Sequence, residues 1–178
     1  MAGKKKPKKR RRKAGGSGCP CGSGRAYGAC CGRFHGGEEP PDAEALMRSR
    51  FAAFARGEYE YLWRTLHPEH ADRSEPKAEW IAGAKETTAP LSYRRLRVLG
   101  TDGPDEEGIA RVLFHAVVGR RGRDVSFAEL SRFAHDGDGW RYLDGIPLPN
   151  RALPKPIDAL DIAAFVALVA RLEASTAG

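Results

Sequence analysis

Between residues 42 and 90 the apolar positions of this chain recur at intervals of three and four, the repeat of one helix face. Asp42 is placed to cap a helix that runs to about Arg56, and Gly57 to stop it. Leu46, Met47, Phe51 and Phe54 would form its buried stripe, with Arg48 and Ser49 off the stripe, facing solvent or the cysteine-rich segment that precedes the helix. Residues 58–66 read as a short second helix with Tyr59, Leu62, Trp63 and Leu66 packing. His67-Pro68 ends it, because the residue before a proline disfavours helical geometry. A third helix covers residues 77–85, anchored by Trp80 and Ile81. From residue 91 the period shortens to two. Strands are expected over 92–99, 109–118, 124–135 and 140–146, separated by turn-rich stretches. Helices followed by an antiparallel meander make an α+β pattern. Pro147, Pro149, Pro154 and Pro156 then read as a stiff linker. A strongly apolar helix follows, starting at Asp158 and running to about Glu173. Its apolar surface is too broad to stay in water. It should dock on the preceding domain, on a second copy in a homodimer, or on a partner protein.

Two polar positions interrupt these apolar faces. Arg50 lies between Leu46 and Phe54 in an i, i+4 row, so it faces inward and needs a carboxylate or several carbonyls to be tolerable there. On the third strand the two-residue period puts Val125, Phe127, Glu129, Ser131 and Phe133 on one face, carrying Glu129 and Ser131 inward. Arg50 and Glu129 are therefore expected to form an ion pair inside the domain. The last strand places Trp140, Tyr142, Asp144 and Ile146 together, which makes Asp144 another inward or strand-end acid. His67 reads as a structural residue at a helix end, and His115 lies on a mixed face with Arg111 and Leu113.

The cysteines change the picture most. All four, Cys19, Cys21, Cys30 and Cys31, lie within thirteen residues and are interleaved with glycine. Four thiolates suit a structural Zn2+ ion, and glycines let the backbone turn its N–H groups toward the sulfurs. His35 is a spare ligand. A redox dithiol is the competing reading, although the Cys-x-x-Cys spacing of thioredoxin-like chemistry is missing. Two disulfides in so short a loop would be strained.

Charge is unevenly placed. The chain carries a formal net charge of +7, yet residues 1–37 hold eleven Lys or Arg and no acid, while residues 38–178 hold nineteen basic and twenty-three acidic residues. The high basicity belongs to the N-terminal run of Lys4, Lys5, Lys6, Lys8, Lys9, Arg10, Arg11, Arg12 and Lys13. With nothing apolar to bury, this run is expected to be disordered when free and to contact a polyanion such as RNA, the ribosome or DNA. An inert solvated tail and a nuclear-localisation or membrane-surface signal are the alternatives. The absence of interleaved aromatic residues argues against reading of bases. No apolar run reaches the roughly 20 residues that span a bilayer, and no secretory signal is visible, so free thiols fit a reducing cytoplasm.

Cys19-Pro20-Cys21-Gly22-Ser23-Gly24, followed by Tyr27 and Cys30-Cys31-Gly32, resembles the SEC-C zinc motif, best known from the C-terminal tail of the SecA translocation ATPase. The order that follows is Leu46-Met47-Arg48-Ser49-Arg50-Phe51, then Tyr61-Leu62, Thr65 and His67-Pro68, and later Glu129 with Ser131-Arg132-Phe133. It is similar to the YchJ-type family, which joins a SEC-C motif to an NTF2-like domain, and the resemblance spans about residues 17–146. It implies an NTF2-like cone, with helices packed on a curved antiparallel sheet and a pocket between them. The chain then divides into a basic tail and Gly/Ser linker (1–18), a zinc knuckle (19–36), an NTF2-like domain (38–147), a proline-rich linker (148–156) and the apolar helix (157–175). Some family members carry a second SEC-C motif where this chain has that helix. The expected function is a zinc-binding adaptor that contacts RNA, the ribosome or a protein partner through tail and knuckle. The alternative is an NTF2-like small-molecule-binding or lyase/isomerase-type protein with a passive zinc appendage. The sequence offers no nucleophile with a base at recognisable spacing, no phosphate loop and no open metal site, so no catalytic residue is assigned.

Overall fold

A computed structural model describes residues 18–176; the basic run at residues 4–13 lies outside the described residues. Five helices, α1 (Cys31–His35), α2 (Ala43–Arg56), α3 (Tyr59–Arg64), α4 (Lys77–Thr88) and α5 (Ile162–Thr176), flank one antiparallel sheet. Its strands are β1 (Leu91–Asp102), β2 (Ala110–Arg120), β3 (Arg123–Asp124), β4 (Phe127–His135) and β5 (Trp140–Pro149). They run in the order β1-β2-β4-β5, with β3 paired to β2, which is the expected meander of an α+β domain.

Helix α2 forms where its caps dictate. The Asp42 carboxylate accepts the Ala45 amide at 2.7 Å, and Gly57 closes the helix at φ +77°. Leu46, Met47 and Phe51 are buried against the inner face of the sheet, over Val112, Phe114, Ala116 and Phe133. Of the two directions open to Ser49 off the stripe, it takes the one toward the cysteine-rich segment rather than solvent: it is fully buried, because α1 and α3 pack on that side of the helix. Its hydroxyl donates to Leu46 O and lies 2.6 Å from the Tyr61 hydroxyl. Helix α3 ends by stitching itself to β5. The His67 amide donates to Tyr142 O and the Tyr142 amide to Thr65 O, both at 2.8 Å.

The sheet corrects three sequence-based expectations. The third strand is interrupted at Val125 and Ser126, where the Asp124 carboxylate captures both the amide and the hydroxyl of Ser126, and Val125 is exposed. On β5 an extra residue lies between the partners of Arg132 and Phe133, which face Asp144 and Tyr142 respectively. This bulge reverses the alternation beyond it. Tyr142 stays inward, but Asp144 turns outward and forms a two-pronged ion pair with Arg132 at 2.5 and 2.7 Å, and Ile146 is exposed. Pro147 and Pro149 belong to β5 rather than to a linker. Because β5 is an edge strand, their missing N–H groups cost the ladder nothing.

The outer face of the sheet is covered by the C-terminal segment. Leu153, Leu160 and Phe165 pack on Leu113, Ala128 and Leu130, and Phe165 is fully buried. Helix α5 is capped by Asp161, whose carboxylate accepts the Ala164 amide, rather than by Asp158, which pairs with Arg97. His115 lies on this outer face, and burial lowers its pKa. The docking of α5 is centred on Phe165, with Ile162, Leu168 and Val169 packed around it. Phe165→Ala should therefore cost about 3–5 kcal/mol of that docking, read as early proteolysis of the C-terminal segment while β1–β5 stay protected. Unchanged proteolysis would show that the helix is held by other contacts.

Candidate metal centre and adjoining cavity

The cysteine loop is shaped by local bonds. Gly18 bridges Ala26, the Cys19 amide donates to Arg25 O at 2.7 Å, and the Gly22 amide donates to Cys19 O at 3.1 Å. A one-turn 3-10 segment, Tyr27–Ala29, then delivers Cys30 and the start of α1. Gly32 is required in this packing, since a Cβ there would lie 2.8 Å from Tyr27 O. The result brings all four sulfurs within 4.8 Å of one another, every one of them buried and none in a disulfide. Cys21 and Cys30 Sγ are 3.6 Å apart. Sulfurs tetrahedrally placed around a zinc ion at 2.3 Å would be about 3.8 Å apart, so the donor set fits a tetrahedral metal ion. A hydrogen bond from the Cys31 thiol brings the Cys21 pKa down to about 4, and the same bond pushes Cys31 up. The Ser23 hydroxyl at 3.2 Å and the Arg25 guanidinium at 3.5 Å lie against Cys30 Sγ, where they offset thiolate charge.

His35 is not a fifth candidate. Its ring turns from the sulfurs into the body of the domain. Nε2 lies 2.9 Å from Ser49 O, an acceptor, so Nε2 donates and Nδ1 is left to accept from the Tyr27 hydroxyl at 2.7 Å. Burial lowers the His35 pKa, which agrees with this neutral form. The knuckle is further fixed by Arg48, which donates to Cys21 O at 3.2 Å, and by Arg64, which donates to Phe34 O at 2.8 Å. Phe34 itself is buried, and the cysteines share one apolar cluster with Leu46 and Leu96. The metal loop is thus built onto α2 and β1.

On the opposite side of α2 a cavity of about 210 Å³ opens between helix and sheet. Phe51, Phe54, Tyr93, Phe114, Phe127 and Phe133 supply its apolar walls; Arg50, Glu129, Ser131 and Tyr142 supply a polar end. The structure brings Arg50, Glu129 and Ser131 together here, but the expected Arg50–Glu129 ion pair does not form. Arg50 Nη1 donates instead to Leu62 O at 2.8 Å and to the Thr65 hydroxyl at 2.6 Å, and the guanidinium sits 4.6 Å from the Tyr142 ring centre. Carbonyl, hydroxyl and ring face together take the place of a carboxylate. Glu129 Oε1 accepts from the Ser131 hydroxyl at 2.7 Å and from the Tyr142 hydroxyl at 3.1 Å. Burial, followed by the Glu129 charge, raises the Tyr142 pKa. A side chain at Gly145 would collide with Glu129, its Cβ 2.5 Å from Oε1, so this glycine makes room for the carboxylate. His67 and Asp144 lie outside the cavity; the His67 ring accepts the Glu69 amide at 3.2 Å. The residue that sequence reasoning underrated is Tyr142, whose place in the inward alternation was the available signal.

Comparison with known proteins fits this two-part arrangement. The SEC-C motif matches residues 17–33, and the family described as YchJ, middle NTF2-like domain, matches residues 42–145. The chain belongs to the YchJ family. A UPF0225 protein of Bordetella pertussis is 38% identical over 133 residues, covering 72% of this chain and 92% of the relative. One from Streptomyces coelicolor is 40% identical over 129 residues, covering 71% and 93%. The solution structure of a SEC-C motif containing protein from Rhodopseudomonas palustris superposes with a TM-score of 0.62 at 30% identity, covering 72% of this chain and 97% of that one. A crystal structure of a SEC-C motif containing protein from Psychrobacter arcticus shares the fold at a TM-score of 0.61 and 22% identity, covering 80% and 90%.

Because four sulfurs share the site, losing one should be enough to empty it. Cys21→Ser is expected to take bound metal from about one equivalent to near none by elemental analysis, and to lower the thermal midpoint by loosening the α2 contact. Full metal retention in that variant would end the four-cysteine assignment.

Proposed function

We propose that this YchJ-family protein is a zinc-binding adaptor that works in the reducing cytoplasm and docks on a polyanionic partner, RNA on the ribosome being the form its charge favours. The observation that carries this reading is the rigid seat of the cysteine loop on the folded body. All four thiols are turned inward, while Gly22, Ser23, Gly24, Arg25 and Ala26 remain exposed. Four soft thiolates select zinc over hard cations and leave no open coordination position, so the ion is structural and the loop around it is the working surface.

The distribution of charge supports the choice of partner. Gly22 packs against Leu96 O of β1, so the loop sits beside an edge strand that carries exposed Arg94 and Arg95. Arg120, Arg121 and Arg123 are exposed around the β2–β3 turn, where Arg120 pairs in register with Leu91 of the same edge strand. None of these five arginines has a carboxylate within ion-pair distance among the described residues. Arg121 occupies a left-handed turn position at φ +49°, beside Gly122 at +83°. Asn or Gly fits such a position at lower cost than arginine, so the guanidinium is presented there at a backbone cost. Together with the lysine- and arginine-rich run at residues 4–13, these residues supply phosphate contacts without base-reading aromatics.

Co-sedimentation with ribosomes across a salt series tests the reading. The zinc-loaded protein should bind at low salt, with the logarithm of its affinity falling by about 0.7–0.9 per phosphate contact for each decade of salt. Deleting residues 1–16 should flatten that slope, and a cysteine variant should lose the binding that survives the deletion. Binding carried by the tail alone and abolished by modest salt would reduce the interaction to nonspecific attraction, and no binding at all would end the adaptor reading.

A further inference from the structure

The cavity on the far side of α2 plays no part in the adaptor reading, yet it holds a buried guanidinium and a half-buried carboxylate, each with hydrogen-bonding capacity to spare. Arg50 is only 7% exposed. Its Nη1 makes both of its hydrogen bonds, while Nε and Nη2 have no partner among the described residues and neither is sealed from solvent. Glu129 uses Oε1 for both of its bonds, and Oε2 likewise has no partner among the described residues and remains open. A buried guanidinium and a half-buried carboxylate lining one chamber would be expected to meet each other if both were only structural, since leaving donors and acceptors unmatched among apolar walls is costly. Here they are held apart, each anchored from behind: Arg50 by Leu62 O and Thr65, Glu129 by Ser131 and Tyr142. Gly145 preserves the space the carboxylate needs.

We propose that this cavity is a binding site for a neutral, single-ring aromatic molecule bearing an adjacent hydrogen-bond acceptor and donor, the chemistry of an aromatic amide or lactam. Three features of the site define the class. Its volume, about 210 Å³, lies below the roughly 300–1,000 Å³ of pockets that take drug-sized ligands, which suits a single-ring molecule with one polar substituent. Its walls are aromatic on both the helix and the sheet side, Phe51 and Phe54 facing Phe114 and Phe127, which favours a flat apolar body. Its polar end contributes one positive and one negative group. A neutral ligand leaves that balance intact, whereas an anion would be set against Glu129 and a cation against Arg50. The acceptor of the ligand meets Arg50 Nε or Nη2, and its donor meets Glu129 Oε2. This assignment stands independently of the adaptor reading.

Three near-isosteric probes, benzamide, benzoate and benzamidine, and the smaller apolar toluene separate the possibilities, each titrated into the full chain while the Phe and Tyr ring resonances are followed by NMR. Benzamide should bind at least tenfold more tightly than each of the other three and should shift the Tyr142 and Tyr93 rings. Toluene fills the walls but leaves both charges unmatched, and a site built to hydrogen-bond its ligand discriminates strongly against such an analogue. Glu129→Gln keeps the shape and the acceptor for Ser131 and Tyr142 but removes the negative charge, so preference should invert toward benzoate. Tyr142→Phe, which loosens the carboxylate without changing charge, should weaken benzamide several-fold with no inversion. The proposal is overturned if benzoate or toluene matches benzamide in the unaltered protein, if Glu129→Gln leaves the ranking as it was, or if none of the four binds at millimolar concentration.

Discussion

A guanidinium cannot leave water without replacement partners, and Arg50 finds its partners in separate elements: the carbonyl of Leu62 in α3, the hydroxyl of Thr65 just beyond it, and the ring of Tyr142 on β5. Each partner constrains the chain that carries it. The last turn of α3 must present its carbonyl toward α2, which holds residues 65–67 against β5, and the two amide bonds between that segment and Tyr142 follow. Tyr142 in turn must keep its ring beneath the guanidinium while its hydroxyl reaches Glu129, and this fixes the inward phase of β5 up to the bulge. One charge on one helix thereby sets the relation of α2, α3 and the far edge of the sheet. It does so with bonds that leave the cavity side of the arginine open.

Three consecutive residues of α2 look in three directions. Arg48 reaches the backbone of Cys21, the carbonyl of Ser49 receives His35, and Arg50 points into the cavity. The knuckle and the cavity therefore share a wall one helix thick. That geometry explains why Ser49 is buried although it lies off the apolar stripe. With neighbours on both sides, α2 has two buried faces, and a small hydroxyl that satisfies itself on Leu46 O and Tyr61 fits between them at little cost.

Much of this was legible in the sequence wherever a local rule decides the outcome. Asp42 and Gly57 bound α2 because capping is a short-range effect, and the four cysteines declare themselves because thiolates so closely spaced have few other uses. Glu129 and Ser131 line the cavity together because the period of two holds along β4. The failures came where a distant partner decides. The phase of β5 depends on one extra residue opposite the Arg132–Phe133 step, and that single insertion sends Asp144 to the surface and into the hands of Arg132. The partners of Arg50 are a carbonyl, a hydroxyl and a ring face, none of which marks itself in sequence as a carboxylate would. The side of α2 that meets the knuckle was open between it and solvent, because residues 18–36 offer little apolar signal beyond Phe34 and arginine-to-carbonyl bonds complete the seat.

That seat decides how the metal site should be understood. A free-standing knuckle of this size would have no core, and its metal would stabilise only itself. Here the buried sulfurs, Phe34, Leu46 and Leu96 belong to one cluster, so whatever holds the loop in shape also holds the back of α2. Zinc binding to four-ligand peptides is worth about 10–16 kcal/mol at neutral pH, comparable with the whole stability of an ordinary domain at about 5–15 kcal/mol. A ligand that binds only the folded form lends its binding energy to everything that folds with its site. Because Arg48 and Arg50 are carried by the same helical turn, the beneficiary extends past the knuckle. The rigid position of Arg50, and with it the separation of the two charges in the cavity, depends on a helix whose other face is held in place by the cysteine loop.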